Sequence, residues 1–202
     1  MTEGIEYTPP DITRALPIDE IPLDRLENPR IVQAPNGALA FGTDEGVGYT
    51  DEELGGKKKK ENEDALVVNT GKNAYAVFDG LGSYGGGAKA ARLIAEEFQK
   101  GFREDLPGDV VHRNAYDRLK AEKIDKDGAC YVAFTIDQNF LHGHMAGDVR
   151  LVVLRPNGSV FFETRDESDL ESVGGKTRDV ILNAISGEDP GEATPFNIEL
   201  FR

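Results

Sequence analysis

The 202-residue chain has no tryptophan, two methionines and one cysteine, Cys130. A lone thiol forms no internal disulfide, so a reducing, cytoplasmic setting is expected. A chain of this length buries enough apolar surface to fold without a structural metal. Positive charge is scarce: 23 Lys+Arg face 37 Asp+Glu, a net charge of -14. A general nucleic-acid binder needs a positive surface to displace counterions, so nucleic acid is excluded as a partner. An anionic membrane is excluded for the same reason. Aliphatic runs are short, Leu151-Val152-Val153-Leu154 among them, and none could span a bilayer as a helix. No basic segment followed by an apolar stretch opens the chain, so no secretory signal is expected.

What is present is 39% apolar and 30% charged residues, a globular composition. Residues 1–35 read as a Pro-rich acidic arm, broken by Pro9, Pro10, Pro17, Pro22 and Pro29. Met1 to Leu54 holds 12 acidic and 3 basic residues. The ordered domain is expected over 36–202. Gly37 to Thr43 reads as a strand, and Asp64–Thr70 and Asn73–Asp79 as two strands joined at Gly71-Lys72. The second of these is apolar throughout, which predicts burial on both faces. Five glycines crowd residues 80–87. A helix follows, with Ala91, Ile94, Ala95, Phe98 and Phe102 on one stripe. Asp109 is the expected N-cap of a second helix. Strands are expected over 129–136, 140–146, 149–154 and 159–163, the last two joined by Pro156-Asn157-Gly158. Thr177 to Ile185 reads as a short helix ended by Gly187. The helices and hairpins come in separate runs, which predicts an α+β architecture. The glycine loop matches a dinucleotide loop weakly, and no βαβ unit supports it.

The hairpin brings carboxylates together. Glu63 and Asp64 open one strand, and Asp79 ends its partner. Converging carboxylates repel, and a divalent cation with hard oxygen ligands, Mg²⁺ or Mn²⁺, removes that cost. Gly80 lets a backbone carbonyl approach such an ion. The bland alternative is a solvated acidic turn beside a strand-terminating aspartate. His142 and His144 lie two apart on one strand, but a zinc site would need His112 and Cys130 from other elements, so rim histidines are the reading. Cys130, in an apolar run, reads as a core residue. Lys57 to Lys60 reads as a solvated loop unless one lysine has a task.

Lys59-Lys-Glu-Asn-Glu-Asp64, Tyr75-Ala-Val-Phe-Asp-Gly80-Leu-Gly-Ser-Tyr-Gly85 and Gly147-Asp-Val-Arg150 resemble the motifs of the metal-dependent protein phosphatases (PPM, type 2C family). Gly128 to Phe134, Asn157-Gly158 and Thr164-Arg-Asp166 resemble later segments of the same family, in the same order. The resemblance runs from about Ala38 to Leu200. It implies two antiparallel β-sheets packed as a sandwich with helices on the outer faces. It also implies hydrolysis of phosphoserine and phosphothreonine on protein substrates by a water activated between two Mg²⁺ or Mn²⁺ ions. Such ions would supply the positive field that the chain lacks. Carried over by motif, Asp79 matches the bridging, catalytic carboxylate and Gly80 the carbonyl ligand. Glu63 matches an acidic metal ligand, Asp64 its neighbour, and Asp148 the ligand of a weaker additional metal. Lys59 stands where the family has a phosphate-binding arginine.

Departures from the pattern shape the expectation. Lysine lacks the bidentate fork of arginine. Leu81 replaces a histidine that would protonate the leaving oxygen, help worth about 10²–10⁴-fold. Val149 replaces a serine. No Asp-Gly follows Gly158 and no Asp-Asn occurs, although the family draws further metal aspartates from such motifs. The chain is therefore expected to be shortened at its C-terminus, to lack the last strands, to hold fewer than two ions and to be weakly active or inactive. The alternative is a non-catalytic pseudophosphatase that binds a phosphoprotein or partner. A third reading, an unrelated acidic interaction domain, requires Asp64 and Asp79 to lie far apart.

Overall fold

A computed structural model describes residues 30–34, 37–41, 62–82, 86–173 and 176–200. Lys59 and the rest of the lysine run lie outside them. In chain order the elements are β1 (Arg30–Ala34), β2 (Gly37–Phe41), β3 (Asp64–Asn69), β4 (Ala74–Leu81), α1 (Gly87–Glu104) and α2 (Gly108–Ala121). Then come β5 (Gly128–Asp137), β6 (Phe140–Ala146), β7 (Val152–Leu154), β8 (Val160–Glu163), β9 (Ser168–Val173), β10 (Lys176–Ile181), β11 (Ile185–Ser186) and β12 (Thr194–Glu199). The architecture is α+β, as expected. An antiparallel sheet in the order β12-β6-β5-β4-β3 is its spine, with β11 added beside β5. Three further pairs, β1-β2, β7-β8 and β9-β10, are two-stranded hairpins. Among the described residues these hairpins are not joined by pairing to the central sheet or to one another. β1 falls inside the segment read as an arm and pairs along its whole length with β2.

The sheet's inner face is built from alternate residues. Ala65, Val67, Ala76, Phe78, Ala129, Tyr131 and Ala133 are all buried and form one cluster with the apolar stripe of α1. Small side chains on the strands let α1 lie close across β3, β4 and β5. Three rings fill the centre: Phe98 sits 5.2 Å from Phe78 and 4.8 Å from Tyr131, centroid to centroid. α2 packs on α1 through Val111, Ala115 and Leu119. Burying side chains of this size contributes about 1.5–3 kcal/mol each, so this layer carries much of the stability.

Three sequence expectations fail here for local reasons. β4 is not buried on both faces: its pattern alternates, with Val77 and Asp79 exposed. The helices cover one side of β4, and among the described residues the other side lacks such a layer. Thr177 to Ile185 is not a helix. Lys176–Ile181 pairs residue by residue with Ser168–Val173, the two runs being separated in sequence by Gly174-Gly175, a hairpin composition. The cap of α2 is Pro107 rather than Asp109, which falls in the first turn. A proline there has a fixed φ suited to helix entry, and Asp109 still complements the helix dipole.

Candidate functional site

The register places the carboxylates. The Thr70–Asn73 turn closes the β3-β4 hairpin, so Asp64 lies directly opposite Asp79. Both therefore occupy the sheet face turned away from the helices. Like charges directly opposed across a sheet repel each other, and a cation between them would relieve that repulsion. The Asn62 side chain accepts a hydrogen bond from the Asp64 amide at 2.9 Å and fixes the entry to β3. The third reading, which kept Asp64 and Asp79 apart, is thereby set aside.

The next rung carries Cys130, opposite Asp79 on β5. Its thiol is fully buried, as the apolar run implied. Burial pushes its pKa up; a backbone hydrogen bond from Asp148 opposes this, while the Asp148 side chain, by hydrogen bond and charge, and the Asp79 charge push it up further. Asp79 and Asp148 thus flank one thiol, the first from β4 and the second from the turn after β6. Asp148 Oδ1 is buried and has no hydrogen-bond partner among the described residues.

Glu63 takes a different place. It is 7% exposed, and its carboxylate lies against the first turn of α1. A Cβ at Gly87 would come within 3.0 Å of Glu63 Oε2. The Gly80 amide donates to the Glu63 carbonyl at 3.1 Å. A Cβ on Gly80 would meet both that carbonyl and the Gly87 carbonyl at 2.5 Å. Glycine at 80 is thus required by close backbone approach between β3, β4 and α1. The first turn of α1 contains no acidic residue of its own, so Glu63 supplies the negative charge that the helix dipole favours.

Two carboxylates escaped the sequence reading. Asp127 packs against Gly82 and Gly86, on either side of the glycine loop. Its signal was the strand pairing: Gly128 pairs with Leu81, which brings Asp127 to the loop. Glu167 holds the Gly147-Asp148 turn, and nothing local in the sequence announces it.

The donors suit a hard cation, and the buried, unpartnered Asp148 oxygen fits one. The described residues supply these donors in pairs. Among them no three His, Cys, Asp or Glu side chains stand close enough to hold an ion as a ready cluster. That includes the histidines. His112 is buried, 2.8 Å from the Tyr131 hydroxyl and 2.7 Å from the Pro190 carbonyl. His142 and His144 instead line a cavity of about 540 Å³ at the opposite end of the sheet. Phe98, Phe102 and Val111 form part of its walls. Among the described residues no helix is long and apolar enough to cross a membrane.

No family model matches the chain, and no curated protein does. Solved structures do. The Mycobacterium tuberculosis serine/threonine phosphatase PstP/Ppp superposes with a TM-score of 0.56 at 22% identity, over 71% of this chain and 69% of its own. The catalytic domain of PstP in complex with two manganese ions gives 0.54 at 20%, over 71% and 68%. A bacterial serine phosphatase gives 0.53 at 17%, over 77% and 70%. The chain therefore has the fold of the PPM-type serine/threonine phosphatases, as its motifs implied.

Proposed function

We propose that the chain is a metal-dependent serine/threonine phosphoprotein phosphatase of the cytoplasm, its substrates phosphoserine and phosphothreonine proteins. The supporting observation is the Asp64–Asp79 rung at one end of a PPM-type sheet, with Asp148 beyond Cys130. In this reading Asp79 and the Gly80 carbonyl hold Mg²⁺ or Mn²⁺, with Glu63, Asp64 and Asp148 contributing. A bound cation there supplies an acidified water and neutralises the phosphate. Lys59 contacts the phosphate as a point charge. Leu81 cannot protonate the leaving oxygen, so turnover is slow.

Two observations favour a second reading, a pseudophosphatase that binds a phosphoprotein without cleaving it. They are Leu81, which cannot transfer a proton, and Lys59, which lacks the bidentate fork of arginine. Hydrolysis of p-nitrophenyl phosphate and of a phosphothreonine peptide, with Mn²⁺ and with Mg²⁺, separates the two. Turnover that requires the cation and disappears in Asp79→Asn supports the enzyme. Phosphopeptide binding without turnover supports the second reading.

A further inference from the structure

Gly147 and Asp148 form the turn after β6; Asp148 hydrogen-bonds to Cys130, and Gly147 is held by one distant residue. Glu167 Oε2 accepts a hydrogen bond from the Gly147 amide at 2.9 Å. The Glu167 amide donates to the Gly147 carbonyl at 3.1 Å. Both polar groups of Gly147 are thus bound to the same partner. Glu167 Oε2 also accepts from Asn183 Nδ2 at 2.7 Å, and Oε1 accepts from the Thr194 hydroxyl at 2.6 Å. The Leu182 amide donates to the Glu167 carbonyl at 2.9 Å. One residue therefore joins the turn, the segment before β11 and the first residue of β12.

The turn needs holding. Gly147 has φ +91, and a Cβ there would lie 2.2 Å from Cys130 Sγ. Its backbone is in a region that other residues avoid, pressed onto the thiol between Asp79 and Asp148. The next residue, Asp148, has a buried oxygen without a hydrogen-bond partner among the described residues. Glu167 fixes the backbone immediately before this half-satisfied carboxylate, while Cys130 hydrogen-bonds to Asp148 itself.

We propose that Glu167 is the positioning residue that sets Asp148 for cation binding. The inference rests on the phosphatase reading, since it takes Asp148 as a cation ligand. Glu167 acts through hydrogen bonds and not through its charge. Glutamine keeps an acceptor for Gly147 and Asn183, and the Thr194 hydroxyl can turn to accept from its amide. Glu167→Gln should therefore bind the cation nearly as the parent does, whereas Glu167→Ala should not. Removing a hydrogen-bonded support behind a metal ligand weakens metal affinity by about 10–100-fold.

The test is calorimetric titration of the full chain with Mn²⁺ alone, on the parent, Asp148→Ala, Glu167→Ala, Glu167→Gln and Leu119→Ala. Leu119 is buried on α2 and makes none of the turn's hydrogen bonds, so its variant measures what lost stability alone does to affinity. The expected result is weakening by about 10-fold or more in Glu167→Ala, matching Asp148→Ala, with Glu167→Gln within about threefold of the parent. Leu119→Ala should melt lower and bind unchanged. Parent-like affinity in Glu167→Ala, or equal loss in Glu167→Gln and Glu167→Ala, overturns the proposal while the phosphatase reading stands. Absence of Mn²⁺ binding by the parent overturns the reading and the proposal with it.

Discussion

The two ends of the central sheet share strands and register but hold opposite chemistry. At one end, β3 and β4 bring Asp64 against Asp79, and Cys130 and Asp148 continue the row. At the other end, Ala74, Thr135 and His142 lie on neighbouring strands beside Phe98 and Phe102 and enclose a cavity. The first end gathers like charges on a face that the helices do not cover. The second places rings and imidazoles on the covered face. The carboxylates at the acidic end repel one another, which is why the proposed function places a cation there. Those at the other end stabilise the fold directly.

That contrast predicts that activity and stability separate by position. The largest effect is expected from Asp79→Asn: Mn²⁺-dependent hydrolysis falls by about 10²-fold or more. Its melting temperature should stay level or rise, because the substitution relieves repulsion by Asp64. A variant that unfolds would break the comparison. Phe98→Ala, on the covered face between the core and the cavity, should show the reverse, a loss of about 3–5 kcal/mol in urea unfolding. Its residual folded fraction should keep the parent's affinity for Mn²⁺.

Acid should weaken the histidine end first. Burial lowers the pKa of His112, with backbone hydrogen bonds partly opposing it, and lowers that of His144, with Asp109 opposing. Both are therefore neutral in the folded protein down to a lower pH than in the unfolded chain. The unfolded chain takes up these protons first, near pH 6.5. Stability should thus decline as pH falls below about 6.5 and level off once the folded histidines also charge. Thermal melts of the parent and of His112→Gln between pH 7.5 and 5 check this, with a shallower slope expected in the variant. The smallest effect is expected at the Lys72–Asp105 ion pair, 2.6 Å long and largely exposed beside the cavity. A double-mutant cycle should give about 0.2–1 kcal/mol, less in high salt.

The acidic end was legible in the sequence because a two-residue turn fixes register. Gly71-Lys72 between two strand-like runs sets Asp64 opposite Asp79, and the motifs then indicate the phosphatase fold. The histidine pair, two apart on one strand, was read as lying at a rim, and the structure places both in the lining of the cavity. Other parts depend on contacts between distant residues. Glu167 holds partners 20, 16 and 27 residues away, so no local pattern marks it. Arg178 and Asp179 suit a helix as well as a strand, and only pairing with β9 decides between them. The exposure of Val77 and Asp79 depends on which side of β4 the helices cover, which an apolar run does not encode.

The most direct test of the account is to map where Mn²⁺ acts on the folded chain, by paramagnetic broadening of backbone amide signals in solution. The account predicts that signals of Asp64, Asp79, Gly80, Gly147 and Asp148 disappear at substoichiometric Mn²⁺. Those of Thr135, His142 and Gly143 should persist. Broadening centred on His142 and His144, with Asp79 and Gly80 untouched, would contradict it.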